Sequence, residues 1–178
     1  MTQQPEILNE EYFVRRNNGL IYKKYAKGPF TGLCEWFYEN NNPFILRPSL
    51  MIRQNYRYGK LDGLSRFFQE NGQLAYRTNY KKGEPDGLGE RFYENGRLQY
   101  RRNYKDGERD GVWERFYENG QLECRENYKN GELDGVWERF HENGQLANRC
   151  NYKNGKLHGL WESFHENGKV KHRQNFFS

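Results

Sequence analysis

Long apolar runs are missing from this chain of 178 residues; nothing approaches the roughly 20 consecutive apolar residues that a helix needs to cross a bilayer. The opening MTQQPEILNEEYF has neither the basic start nor the apolar core of a secretory signal, so the expected location is cytoplasmic. Aliphatic residues are few. Only 34% of the sequence is hydrophobic while 17% is aromatic, so Phe, Tyr and Trp make up half of the apolar content. That balance disfavours a compact aliphatic core wrapped in helices and favours strands, across which flat rings pack. Cysteine is scarce too. Cys34, Cys124 and Cys150 cannot all pair within the chain and none belongs to a CxxC, so reduced thiols are expected. The four histidines, His141, His158, His165 and His172, lack finger-like spacing, and no metal or cofactor is expected. His141 and His165 replace a tyrosine, FYENG becoming FHENG, and read as substituted aromatics. No block of like charge occurs. The net charge of +5 arises from 29 basic and 24 acidic residues finely interspersed, which reads as a solvated surface rather than a nucleic-acid footprint. Motifs of the GxSxG, GxxxxGKS, HExxH and Rossmann types are absent, and no enzymatic activity or small-molecule substrate is expected.

What the chain has in abundance is periodicity. From Gly59 onward glycines fall on three lattices of 24 residues: Gly63 to Gly159, Gly72 to Gly168 and Gly59 to Gly155. Such a period marks a repeat architecture. The organisation expected is an N-terminal extension over 1–16, degenerate first repeats over 17–62 with an apolar insertion at 41–47, and five regular repeats over 63–178. Each unit reads as a β-hairpin. In GVWERFYENGQLECRENYKNGELD (Gly111 to Asp134), Asn119 and Gly120 suit a two-residue type I′ turn between strand-type residues. That turn pairs Tyr117 with Leu122, Arg115 with Cys124, Glu114 with Arg125 and Trp113 with Glu126. Lys129 to Asp134 then reverses the chain into the next hairpin. The fold class is all-β: an elongated, single-layer antiparallel meander of β-hairpin repeats, about a dozen strands in all.

Alternation divides each unit between two faces. One carries Phe68, Phe92, Phe116, Phe140 and Phe164, with Glu90, Glu114, Glu138 and Glu162 opposite Arg101, Arg125, Arg149 and Arg173; constant columns of this kind read as scaffold, opposite charges across strands contributing roughly 0.2–1 kcal/mol each. The other face keeps leucine and tyrosine at its edges and varies in its middle, as a recognition surface does. Candidate partner-binding residues there are Trp113, Trp137 and Trp161, Arg91, Arg115 and Arg139, and Tyr76 and Tyr100, because Trp, Tyr and Arg dominate interface hot spots. The insertion, NNNPFILRPSL, adds Phe44, Ile45 and Leu46 between Pro43 and Pro48 where later units have a tight ENG turn. It suits both a cap on the open first hairpin and a lip for a partner.

The unit GxWExFxENGQLxxRxNYKxGExDG resembles the bacterial variant of the MORN repeat, from about Asn17 to Phe176. The leading RRNNGLIYKKYAKGPFTG (Arg15 to Gly32) resembles the opening of antitoxin and immunity proteins built from that variant. Asp62, Asp86, Asp110 and Asp134 stand where the common pattern often has histidine, and only His158 matches. The resemblance implies an all-β scaffold without catalytic residues, used for protein binding. The function expected is that of an immunity protein or antitoxin that neutralises a cognate toxic effector by direct contact. A peripheral scaffold associated with membrane phospholipid is the alternative.

Overall fold

A computed structural model describes residues 13–38 and 49–176. The insertion with Phe44, Ile45 and Leu46 lies outside the described residues. The chain forms two compact units, Met1–Asp86 and Gly87–Ser178. In the first, β1 (Phe13–Arg15) and β2 (Ile21–Lys23) form a two-stranded sheet; β3 (Gly32–Phe37), β4 (Leu50–Arg57), β6 (Gly63–Phe68) and β7 (Leu74–Lys81) follow one another in an antiparallel meander, with the short β5 (Lys60–Leu61) paired to β4. Strand β8 (Glu84–Phe92) contains the division. In the second unit β8 from Gly87, β9 (Leu98–Lys105), β10 (Glu108–Phe116), β11 (Leu122–Lys129), β13 (Gly135–Phe140), β14 (Leu146–Lys153), β15 (Lys156–Phe164) and β16 (Val170–Phe176) continue the same pattern, and β12 (Glu132–Leu133) pairs with β11. No helix occurs among the described residues. Each unit is thus the single-layer hairpin meander that the glycine period implies.

The type I′ turn expected at the ENG corner lies instead at the other turn of the repeat. Tyr117 N–H donates to the Gln121 carbonyl and Gly120 N–H to the Tyr117 carbonyl, both at 2.9 Å. Gly120 has a φ of 91°, whereas Asn119 is not left-handed. The connection is therefore a type I turn closed by a left-handed glycine, a three-residue loop instead of the two-residue type I′ turn expected. The added loop residue moves the register, so that Phe116, not Tyr117, pairs with Leu122. The other three expected pairs are present. Asn119 serves the loop through its side chain, accepting the Gln121 N–H at 2.8 Å and donating to the Glu142 carbonyl at 3.0 Å in the next repeat.

The type I′ geometry belongs to the opposite edge. Asn130 (φ 50°) and Gly131 (φ 82°) lie between Lys129 and Glu132, which pair. The reversal expected over Lys129–Asp134 is thus confined to two residues, because Glu132 and Leu133 already form β12. Asp134 and Gly135 then make a bulge before β13. At Gly135, with φ of 118°, a Cβ would come within 3.1 Å of the Asn127 Cβ. The amide of Asn127 donates to the Val136 carbonyl at 2.6 Å, spanning the gap that the bulge opens in the ladder. Asn55 and Asn103 do the same to Leu64 and Val112, each at 2.8 Å.

Successive repeats are tied at both edges. Tyr93 and Tyr117 donate their hydroxyls to the carbonyls of Phe116 and Phe140, each 23 residues on, at 2.7 and 2.8 Å. His141 Nε2 lies 3.2 Å from the Phe164 carbonyl, occupying the place of the tyrosine hydroxyl. Tyr38 makes the same bond to Phe68 across 30 residues, so the seven inserted residues leave this tie in place. At the other edge Asp62, Asp110 and Asp134 accept the N–H of Lys82, Asn130 and Asn154 at 3.2–3.4 Å.

The start of the first unit repeats the ENG turn. Arg16 N–H donates to the Leu20 carbonyl, Gly19 N–H to Arg16, and the Asn18 side chain accepts the Leu20 N–H. Phe13 packs edge-on to Phe30 at 5.0 Å and lies 6.5 Å from Trp36, while Phe30 lies 6.2 Å from Tyr56. These rings place the small sheet against the aromatic side of β3 and β4.

Candidate functional site: an arginine and tryptophan cluster on the variable face

In the second unit the variable face concentrates aromatic and basic groups on β9, β10 and β11. The ladder between β9 and β10 changes register between Arg109 and Trp113, around the Asp110–Gly111 bulge, and both side chains remain on one face. Trp113 is 7% exposed. Its ring lies 5.3 Å from Tyr104 and 5.0 Å from Tyr128, and its Nε1 donates to the Asn103 carbonyl at 2.8 Å. Two guanidinium groups cover it. Arg102 lies 4.7 Å from the Trp113 ring and 3.8 Å from Tyr100; Arg109 lies 4.5 Å from Trp113 and 5.1 Å from Tyr128. The quadrupole of each ring attracts the cation above it, by about 0.5–1 kcal/mol where exposed.

Glu126 gathers the donors beside this cluster. It accepts from Tyr128 Oη at 2.8 Å, from Trp137 Nε1 at 3.4 Å and from Cys124 Sγ at 3.7 Å. Tyr128 in turn accepts from Arg109 at 3.0 Å. Burial, followed by the hydrogen bond to Glu126, raises the Tyr128 hydroxyl above its ordinary pKa. Burial and then the Glu126 charge push the Cys124 thiol up to about 12. Cys34, raised by burial to about 12, and Cys150, raised by the same cause, are likewise protonated at neutral pH. This is opposite to the electropositive setting that activates a thiolate. All three cysteines are free and buried. Among the described residues no group of His, Cys, Asp or Glu could hold a metal ion.

The cluster surrounds an open depression of about 230 Å³, lined by Tyr100, Arg102, Arg109, Trp113, Arg115, Cys124, Glu126 and Tyr128 with the edge of Glu114. Of the candidates read from sequence, Tyr100, Trp113 and Arg115 meet here. Trp113 forms the floor of the depression and is covered by arginine, so its ring is not presented to a partner as a free anchor. Arg115 stands at the rim, 56% exposed, with Glu123 at 3.0 Å. Arg91 and Arg139 are exposed on the same face, and Trp137 and Trp161 are half-buried, the latter 5.6 Å from His172. Tyr76 belongs to the first unit, where it packs on Phe67 at 5.7 Å. Arg102 and Arg109 were not singled out from sequence. The available signal was column deviation: Arg109 stands where the other repeats have Leu61, Pro85, Leu133 and Leu157.

Fold and site together define a repeat protein of β-hairpins that offers an open, side-chain-varied surface. The five regular repeats match the family model described as the MORN repeat variant, at residues 61–82, 85–106, 109–130, 133–154 and 157–177. The chain belongs to the MORN repeat variant family. Compared with curated proteins it has no significant match.

Proposed function

We propose that the chain is a protein-binding scaffold, and that it neutralises a toxic effector by covering an acidic surface of it with the variable face of the second unit. The observation that carries this reading is the concentration of arginine over aromatic rings: Arg102 and Arg109 lie on Trp113 and its tyrosines, with exposed Arg91, Arg115 and Arg139 around them. Stacked guanidiniums lose little freedom when they form bidentate bonds to carboxylates, and Arg, Trp and Tyr supply most hot spots at protein interfaces. The effector role draws its support from the resemblance of Arg15–Gly32 to antitoxin openings. The product of the neighbouring open reading frame is the first partner to test, by titration calorimetry. Alanine at Trp137 and at Arg139 is expected to weaken the complex by at least about 1–2 kcal/mol each without unfolding the protein. Unchanged affinity in both variants would show that a different face binds. Recovery of the chain with phospholipid vesicles at physiological salt would instead favour a membrane scaffold.

A further inference from the structure

The constant face carries a row in which glutamate and arginine alternate across the strands. In the second unit Glu114 is directly opposite Arg101 on β9 and Arg125 on β11, with Nε–O distances of 2.5 and 2.9 Å. Glu138 lies 3.5 Å from Arg125 and 2.9 Å from Arg149, and Glu162 lies 2.8 Å from Arg173. The first unit opens the same way, Glu35 meeting Arg53 at 2.5 Å. The next position in the row breaks the rule. Arg66, not an acid, stands directly opposite Arg53 on β4 and opposite Arg77 on β7. Arg66 makes no ion pair among the described residues, and Arg53 is 40% exposed while it holds Glu35. Arg66 thus stands, with a charge of the wrong sign, at a position where the alternation calls for an acid.

Like charges directly opposite across strands destabilise a sheet. A local rule broken without compensation inside the fold is the kind of departure that marks a functional position. The geometry of the row states what would compensate it, since Glu114, Glu138 and Glu162 each stand between arginines of the two flanking strands. We propose that Arg66, with Arg53 and Arg77 beside it, is a binding site for a carboxylate side chain in an acidic segment of a protein partner. The incoming carboxylate supplies from outside the charge that Glu35, Glu114, Glu138 and Glu162 supply from within, and the planar guanidinium fork favours this bidentate contact. The site lies on the constant face of the first unit and does not depend on the surface described under Proposed function.

The test uses the full chain, a hexaglutamate peptide as probe, and two charge-matched variants, Arg66→Glu and Lys153→Glu, the latter at the exposed end of β14. Restoring the alternation with Arg66→Glu is expected to raise the melting temperature and to weaken hexaglutamate binding at least about 10-fold. Lys153→Glu is expected to change binding less than about 2-fold. Arg66→Gln is expected to fall between the parent and Arg66→Glu in both readouts. Equal losses in the two charge reversals would reduce the attraction to net charge and overturn the site. A folded Arg66→Glu with a lower melting temperature would overturn the stored repulsion. Arg66-dependent binding of phosphatidylserine vesicles or inorganic phosphate, without binding of hexaglutamate, would overturn the assignment to an acidic protein segment.

Discussion

The two units of the chain share one backbone plan and differ in three columns of side chains. In Gly87–Ser178 the centre of the variable face holds Gly89 and then Trp113, Trp137 and Trp161, the constant face alternates acid with arginine, and the left-handed position of the type I′ turn is Asp106, Asn130 or Asn154. In Met1–Asp86 the tryptophan column is Cys34 and Ser65, the acid column reverses sign at Arg66, and the turn position is Tyr58 or Lys82. The bulge-spanning asparagine bond is the same in both, at 2.8 Å from Asn55 and from Asn103. Main-chain hydrogen bonds, turn glycines and this amide therefore specify the hairpin, and the columns between them are free to take on other work. Each column offers a way to break the comparison.

The largest effect is expected at the tryptophan column. Trp113 contacts two tyrosines and two guanidiniums, so Trp113→Ala should cost about 3 kcal/mol in denaturant unfolding followed by circular dichroism. Its counterpart Ser65 is fully buried opposite Thr78, and neither hydroxyl has a hydrogen-bond partner. A buried hydroxyl without a partner costs free energy, so Ser65→Ala should be neutral or stabilising by up to about 1 kcal/mol. Equal and small effects at both positions would mean that the tryptophan column contributes nothing special to the second unit.

The charge row should yield an intermediate effect, and one that depends on pH. The Glu114 side chain is 5% exposed and bonded to Arg101 and Arg125. Burial acts to raise its pKa, but the two hydrogen bonds and the two positive charges outweigh burial and hold the carboxyl below the ordinary value of 4.5. The folded state therefore binds this proton less readily than the unfolded chain does. Its contribution to stability is complete above pH 4.5 and is lost as the pH falls through the folded-state pKa. Glu114→Gln should cost about 2 kcal/mol at neutral pH, less than for a fully desolvated pair because both arginines are partly exposed. The variant should also show a shallower decline in stability below pH 4.5 than the parent does. Parallel declines in the two proteins would remove Glu114 from the acid transition.

The period, the strand pairing and the allocation of residues to faces were legible in the sequence because each follows from alternation around a repeated glycine. Turn type was not. Asn-Gly occurs at both edges of the Gly111–Asp134 unit, and the dipeptide alone cannot reveal that Tyr117 to Gln121 closes over three residues while Lys129 to Glu132 closes over two. Loop length is set by the register of the flanking strands, and the bulge beside Phe116 and Leu122 absorbs the extra turn residue, so the alternation beyond it keeps the same faces whichever turn is present. The burial of Trp113 was hidden for a related reason. In a single layer a ring is covered only by side chains of the neighbouring strands, and its cover here includes Arg109, which departs from a column of leucine and proline.

The smallest effect, at the turn column, reads the backbone most directly. Tyr58 adopts a φ of 50° and is 68% exposed, and its N–H bonds to Thr31 Oγ1 at 2.8 Å, a contact independent of the side chain at position 58. A left-handed conformation costs a β-carbon-bearing residue roughly 1–2 kcal/mol, and asparagine reduces that cost by bonding locally through its short side chain. Tyr58→Asn should accordingly stabilise the chain by about 0.5–1 kcal/mol, and Asn130→Tyr should destabilise it by a similar amount, both measured as shifts in the denaturation midpoint. Opposite signs at these two positions would establish that the units share one turn geometry and differ only in how well the local residue suits it. Destabilisation in both would assign Tyr58 a packing role instead, its ring beside the Arg57 guanidinium at 5.8 Å being the contact to remove next.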